Sequence, residues 1–124
     1  MPNGNNRILA VLDDLFFTVK INESAKRAGM AITFVKSEQD ALDQASQKPA
    51  LIILDLNCGA VDPLELVGKL KSNAETKPIS LIGYLSHVQG ELKQKAQEAG
   101  CDIVLARSAF SQNLPQILKR HSAF

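Results

Sequence analysis

Short apolar runs alternate with helix-like amphipathic stretches along this chain, and that alternation leaves few folds open. Ile8-Leu9-Ala10-Val11-Leu12 is continuously apolar, as expected of a strand covered on both faces. A helical stretch follows over Asp14 to Ala28 and stops at Gly29, which suits the C′ position. Ala31 to Val35 reads as a second strand. Ser37 then caps a second helix, with Asp40 three residues on. Ala50 to Leu56 is the third and most buried-looking strand. Asp62, Pro63 and Glu65 mark the start of a third helix, which places Leu64, Val67 and Leu70 on one face. Pro78 to Tyr84 holds a fourth strand, and a fourth helix over Gln89 to Ala99 ends at Gly100. Cys101 to Ala106 is the fifth strand. A last helix is expected over Asn113 to Arg120, with Pro115 tolerated in its first turn.

Consecutive βα units argue for a parallel sheet with helices on both sides. The fold class expected is α/β, a flavodoxin-like, doubly wound sheet of five parallel strands in the order 2-1-3-4-5. At 124 residues, the chain suits one domain over residues 7–121, preceded by an extended or disordered segment 1–6.

Composition narrows the function classes. A net charge of +1 gives no overall field toward nucleic acid or an anionic membrane. The basic clusters Lys26-Arg27 and Lys119-Arg120-His121 fall at expected helix C-termini, where they complement the helix dipole. Cys58, Cys101, His87 and His121 fit no zinc spacing, and no disulfide is suggested, so a reducing cytoplasm is expected. No apolar run approaches the ~20 residues of a membrane span.

A doubly wound sheet binds ligands beyond its strand ends where the winding reverses, here between strands one and three. The residues at those ends are acidic: Asp13 and Asp14 after strand one, and Asp55 at the end of strand three. Two carboxylates about 4 Å apart repel by roughly 4 kcal/mol at an effective dielectric of about 20. Such a group needs a cation or raised pKa values, and an oxygen-ligated Mg²⁺ would answer the need. Arg107, after strand five, can add positive charge. Taken singly, Asp13 or Asp14 is a helix cap, Asp55 a loop acceptor and Arg107 a surface ion-pair partner. Convergence at a switch point favours a site for Asp13, Asp14 and Asp55, while Arg107 fits a site and a surface ion pair equally well.

At these residues the chain resembles the CheY-like receiver domains of response regulators, from Arg7 to about His121. Arg7 to Asp14 is similar to the family's first strand and acidic pair. Leu51-Ile52-Ile53-Leu54-Asp55-Leu56-Asn57 is similar to its third strand, and Glu98 to Asp102 to its exit from helix four. The resemblance implies that Asp55 is the phosphoacceptor in two-component phosphorelay signalling. It also implies that Asp13, Asp14, Asp55 and the backbone carbonyl of Asn57 hold Mg²⁺. Implied partners are a histidine kinase or phosphotransfer protein, and a downstream protein or a second copy on the face of helix four, strand five and helix five. Nucleic acid and membrane are not expected.

The chain departs from the pattern. Leu12 stands where the first acid falls counting from Arg7, so the acidic pair is Leu12/Asp13 or Asp13/Asp14. Arg107 takes the lysine position, and Ser108 that of the following proline. Leu85 takes the place of the switch threonine or serine, with Ser86 beside it as a phosphate contact, and Val104 that of the switch aromatic. These departures point to an atypical receiver or a pseudo-receiver acting by binding alone. A nucleotide or flavin enzyme is disfavoured because Asp-Asp-Leu-Phe-Phe after strand one offers no phosphate cradle. Of Phe16 and Phe17, one is expected in the core and the other against a helix or partner.

Overall fold

The computed structural model describes residues 6–86 and 90–121. The expectations for residues 1–5, His87 and the start of helix four at Gln89 lie outside that range. Ten elements alternate: β1 (Arg7–Val11), α1 (Leu15–Arg27), β2 (Ala31–Val35), α2 (Glu38–Ala45), β3 (Leu51–Asp55), α3 (Pro63–Ser72), β4 (Ser80–Leu85), α4 (Gly90–Ala99), β5 (Ile103–Ala106) and α5 (Arg107–His121). The strands form one parallel sheet in the order β2-β1-β3-β4-β5. This is the expected flavodoxin-like fold.

The side-chain period of two divides each central strand between two cores. Leu9, Val11, Ile52, Leu54, Leu81 and Leu85 pack with α2, α3 and α4. Ile8, Ala10, Leu12, Leu51, Ile53, Ile82 and Tyr84 pack with α1 and α5. β3 is buried throughout, which explains its unbroken apolar run. β2 and β5 are edge strands, and their exposure is correspondingly higher.

The helix starts follow the capping signals. Asp14 Oδ1 accepts from the Phe16 amide at 2.9 Å, Ser37 Oγ from Asp40 at 3.1 Å, and Asp62 Oδ1 from Glu65 at 3.2 Å. On α3 the buried residues are Leu66, Val67 and Leu70. Leu64, expected inward, is only half-buried, because Pro63 sets it in the first turn at the rim of the core.

The last helix departs most from expectation. It begins at Arg107, directly after β5, and Pro115 lies in its interior. Proline removes one backbone donor and crowds the preceding turn, which is why it reads as a helix start. Tertiary burial outweighs that cost, since Phe110, Leu114, Ile117 and Leu118 form a continuous apolar stripe against the sheet.

A polar clamp secures the α3–β4 connection. Lys71 Nζ donates to Lys77 O at 3.0 Å, Ile79 O at 2.9 Å and Asp102 Oδ2 at 3.0 Å. The same Asp102 oxygen accepts the Leu81 amide at 2.8 Å. Gly100 is placed against the stem of Lys71 with φ +125°, and a Cβ there would stand 2.6 Å from Lys71 Cγ.

Gly83 sits under Leu56 and Cys101, where an added Cβ would meet Leu56 Cδ1 at 2.9 Å and Cys101 Sγ at 3.3 Å. Gly83→Ala is expected to lower stability by about 1–3 kcal/mol through overpacking. The urea unfolding midpoint reads this, and an unchanged midpoint would contradict the packing described.

Candidate functional site at the strand ends

The β1–β3 register aligns Val11 with Leu54, so β3 ends one residue beyond β1. Asp55 closes β3 and pairs in register with Tyr84 of β4. Its side chain is buried, with a relative exposure of 8%. Oδ1 accepts the Asn57 amide at 2.8 Å, and the Asp55 carbonyl accepts the Cys58 amide at 3.0 Å. This tight turn follows from the strand end itself and holds the carboxylate in place.

Leu12 is fully buried in the core between the sheet and α1/α5. The first carboxylate after β1 is therefore Asp13, which is exposed. Asp14 is half-buried and caps α1. Burial pushes the Asp55 carboxyl above its ordinary range, and the charges of Asp13 and Asp14 push the same way. The Asn57 amide and the Arg107 guanidinium work against that rise without cancelling it. The topology thus puts Asp13, Asp14, Asp55 and Arg107 in one another's electrostatic reach.

They do not form a cage of carboxylates. Among the described residues, no group of three or more His, Cys, Asp or Glu side chains is arranged to hold a metal ion. Asp14 is occupied: Oδ1 serves the α1 cap, and Oδ2 accepts from Arg107 Nη2. Arg107 opens α5, where the helix dipole makes a cation unfavourable, and the pair with Asp14 offsets this. The Arg107 guanidinium also lies over the Phe17 ring, 4.7 Å from its centre.

Ser86 is exposed, and its amide donates to Asn57 Oδ1 at 2.7 Å, which ties the β4 end to the turn after β3. Leu85 and Val104 are both buried in the core between the sheet and α2, α3 and α4. Neither side chain carries a group able to hydrogen-bond an anion. Phe17 is in the core, while Phe16 is 67% exposed beside Leu15 at 77% and Val19 at 50%. Cys58 and Cys101 are buried and unpaired.

Tyr84, the chain's single tyrosine, was not anticipated as part of the site. Its ring stacks on Phe110 at 4.8 Å and lies 5.0 Å from Phe17. Its hydroxyl is buried and has no hydrogen-bond partner among the described residues. Burial, together with Asp55 and Asp14, holds that phenol strongly in its neutral form. A β4 aromatic in register with Asp55 could have been found once the strand order was fixed. The orphan hydroxyl needs coordinates.

No protein-family model matches this chain, and no curated protein matches it. Solved structures do. A signal receiver domain of a response regulator from Bermanella marisrubri is 24% identical, covers 94% of this chain and 97% of its own, and gives a TM-score of 0.80. The phosphorylated cyanobacterial phytochrome response regulator RcpA is 21% identical, with coverages of 94% and 90% and a TM-score of 0.79. The Mn²⁺-bound form of response regulator Rcp1 is 20% identical, with coverages of 92% and 89% and a TM-score of 0.75. The chain has the fold of response-regulator receiver domains. Among the described residues no helix is long and apolar enough to cross a membrane.

Two substitutions probe the site's electrostatics. A carboxyl with a raised folded-state pKa is harder to ionise in the folded chain than in the unfolded one. Its ionisation therefore costs stability above the unfolded pKa, and that cost fades as pH falls. Asp55→Asn is expected to stabilise the fold by on the order of 1 kcal/mol at neutral pH. The gain should shrink toward pH of about 4, where the unfolded carboxyl protonates. Chemical denaturation across that range checks both sign and window. Tyr84→Phe removes a buried hydroxyl without a partner among the described residues, and should leave the unfolding midpoint unchanged or raise it.

Proposed function

We propose that this chain is an atypical receiver domain of bacterial-type two-component phosphorelay signalling, acting in the cytoplasm, with Asp55 as the phosphoacceptor. The observation that carries this reading is the position of Asp55. It is a buried carboxyl at the end of the central strand of a receiver fold, with Asp13 and Arg107 in its field.

The implied reaction needs little protein chemistry beyond placement and charge. One oxygen of Asp55 is held by the Asn57 amide, and the other attacks the phosphorus of a phosphohistidine on a histidine kinase or phosphotransfer protein. A P–O bond forms, the P–N bond breaks, and the imidazole leaves with the electron pair and takes up a proton. Acetyl phosphate would lose acetate in the same way. Two hard carboxylate donors, Asp13 and Asp55, and the Asn57 carbonyl suit Mg²⁺, which commonly takes one or two carboxylates and keeps several waters. Asp14 is the less available donor, because its Oδ1 caps α1 and its Oδ2 pairs with Arg107. When bound, the ion neutralises charge on the transferring group. Arg107 supplies the cation, and the Ser86–Asn57 bond orders the approach from β4.

A second reading is favoured by three observations: Arg107 is paired with Asp14, Leu85 lacks a hydroxyl, and Val104 lacks a ring. It is a phosphorylation-independent interaction module, with a downstream protein or a second copy on the α4–β5–α5 face. Neither reading requires nucleic acid or a membrane.

Incubation with acetyl phosphate and Mg²⁺, followed by intact mass measurement, separates the two. The parent is expected to gain one phosphoryl group and Asp55→Asn none. No gain in either protein, with partner capture indifferent to Asp55→Asn, would establish the second reading instead.

A further inference from the structure

The cation of this site is already in use. Arg107 Nη2 donates to Asp14 Oδ2, and the flat face of the guanidinium rests on Phe17. Asp14 is itself held from three sides. Its Oδ1 accepts the Phe16 amide at 2.9 Å, and its carbonyl accepts both the Thr18 amide and Thr18 Oγ1 at 2.9 Å. The first turn of α1 therefore fixes the carboxylate that fixes the arginine. Arg107 still attracts Asp55 through space, but its direct contact is with Asp14.

We propose that Asp14 is a positioning residue that parks Arg107 on Phe17. A phosphoryl-like anion seated on Asp55 then has to draw the guanidinium away from Asp14. This rests on the reading of Asp55 as the phosphoacceptor, and deepens it by naming what restrains the site. The choice of arginine matters. A guanidinium stacks on an aromatic face and forks onto a carboxylate, whereas an ammonium does neither as well. The pair is partly shielded, with side-chain exposures of 38% for Arg107 and 26% for Asp14, so it is stronger than a fully solvated one. Release has a second consequence. Phe17 contacts Tyr84 and Phe110, so the guanidinium leaves one side of an aromatic cluster that joins α1, β4 and α5.

Beryllofluoride, a phosphoryl mimic, tests this with Mg²⁺ present. Four proteins are compared: the parent, Asp14→Asn, Arg107→Gln and the double variant. Asparagine keeps the Oδ1 cap acceptor while removing the charge that holds the arginine. Asp14→Asn is expected to tighten beryllofluoride binding about five-fold, the scale of a partly exposed ion pair. The same change in the Arg107→Gln background should have no effect. The Arg107 Nε–Hε NMR signal should lose its Phe17 ring-current shift in Asp14→Asn, and in the parent only once beryllofluoride is bound. Equal tightening in both backgrounds would show simple repulsion by Asp14 and overturn the proposal, as would weaker binding in Asp14→Asn. Binding in none of the four proteins would overturn the Asp55 reading, and this proposal with it.

Discussion

The parallel pairing of β1 with β3 is the constraint on which the rest of the site depends. The two strands meet although α1, β2 and α2 separate them in sequence. Because Val11 and Leu54 share a level, the chain must turn away from both strands at one place. Backbone donors at the starts of α1 and α5, and the turn after β3, converge there with acidic side chains. The apolar strands supply the energy that holds these carboxylates together against their mutual repulsion. Asp55 bears that cost most directly, since its own strand is buried along its whole length.

Element order and helix caps were legible in the sequence because each has a local cause, and the strand order followed from the one that five βα units commonly take. Continuous apolar runs mark central strands. Asp14, Ser37 and Asp62 stand where a helix needs an acceptor. What misled was Pro115, a strong local signal overruled by a long-range one. The stripe of Phe110, Leu114, Ile117 and Leu118 carries α5 through the proline. The candidate site was legible as a list of residues but not as a set of contacts. Sequence placed Asp13, Asp14, Asp55 and Arg107 at strand ends. It could not tell that Asp14 turns to Arg107, or that Leu12 turns into the core, since either depends on a rotation of one residue at the end of β1.

The two faces of the sheet also differ in kind near the site. On the side of α2, α3 and α4, Leu85 and Val104 present only aliphatic surface. On the side of α1 and α5, Phe17, Tyr84 and Phe110 form a tilted and stacked aromatic group, with Phe17 directly beneath Arg107. Charge rearranged at the strand ends therefore meets polarisable rings on one side and inert methyl groups on the other.

The clamp at Lys71 carries a consequence of its own. An ammonium has three protons to donate, and here all three go to fixed acceptors at the junction of α3, β4 and β5. The Lys71 side chain is only 14% exposed, unlike those of Lys48, Lys69 and Lys95 in their surface pairs. An amine-directed reagent would reach those lysines in the folded chain but find Lys71 only when the junction opens. The acylation rate of that one nitrogen thus reports how often the far end of the sheet comes apart.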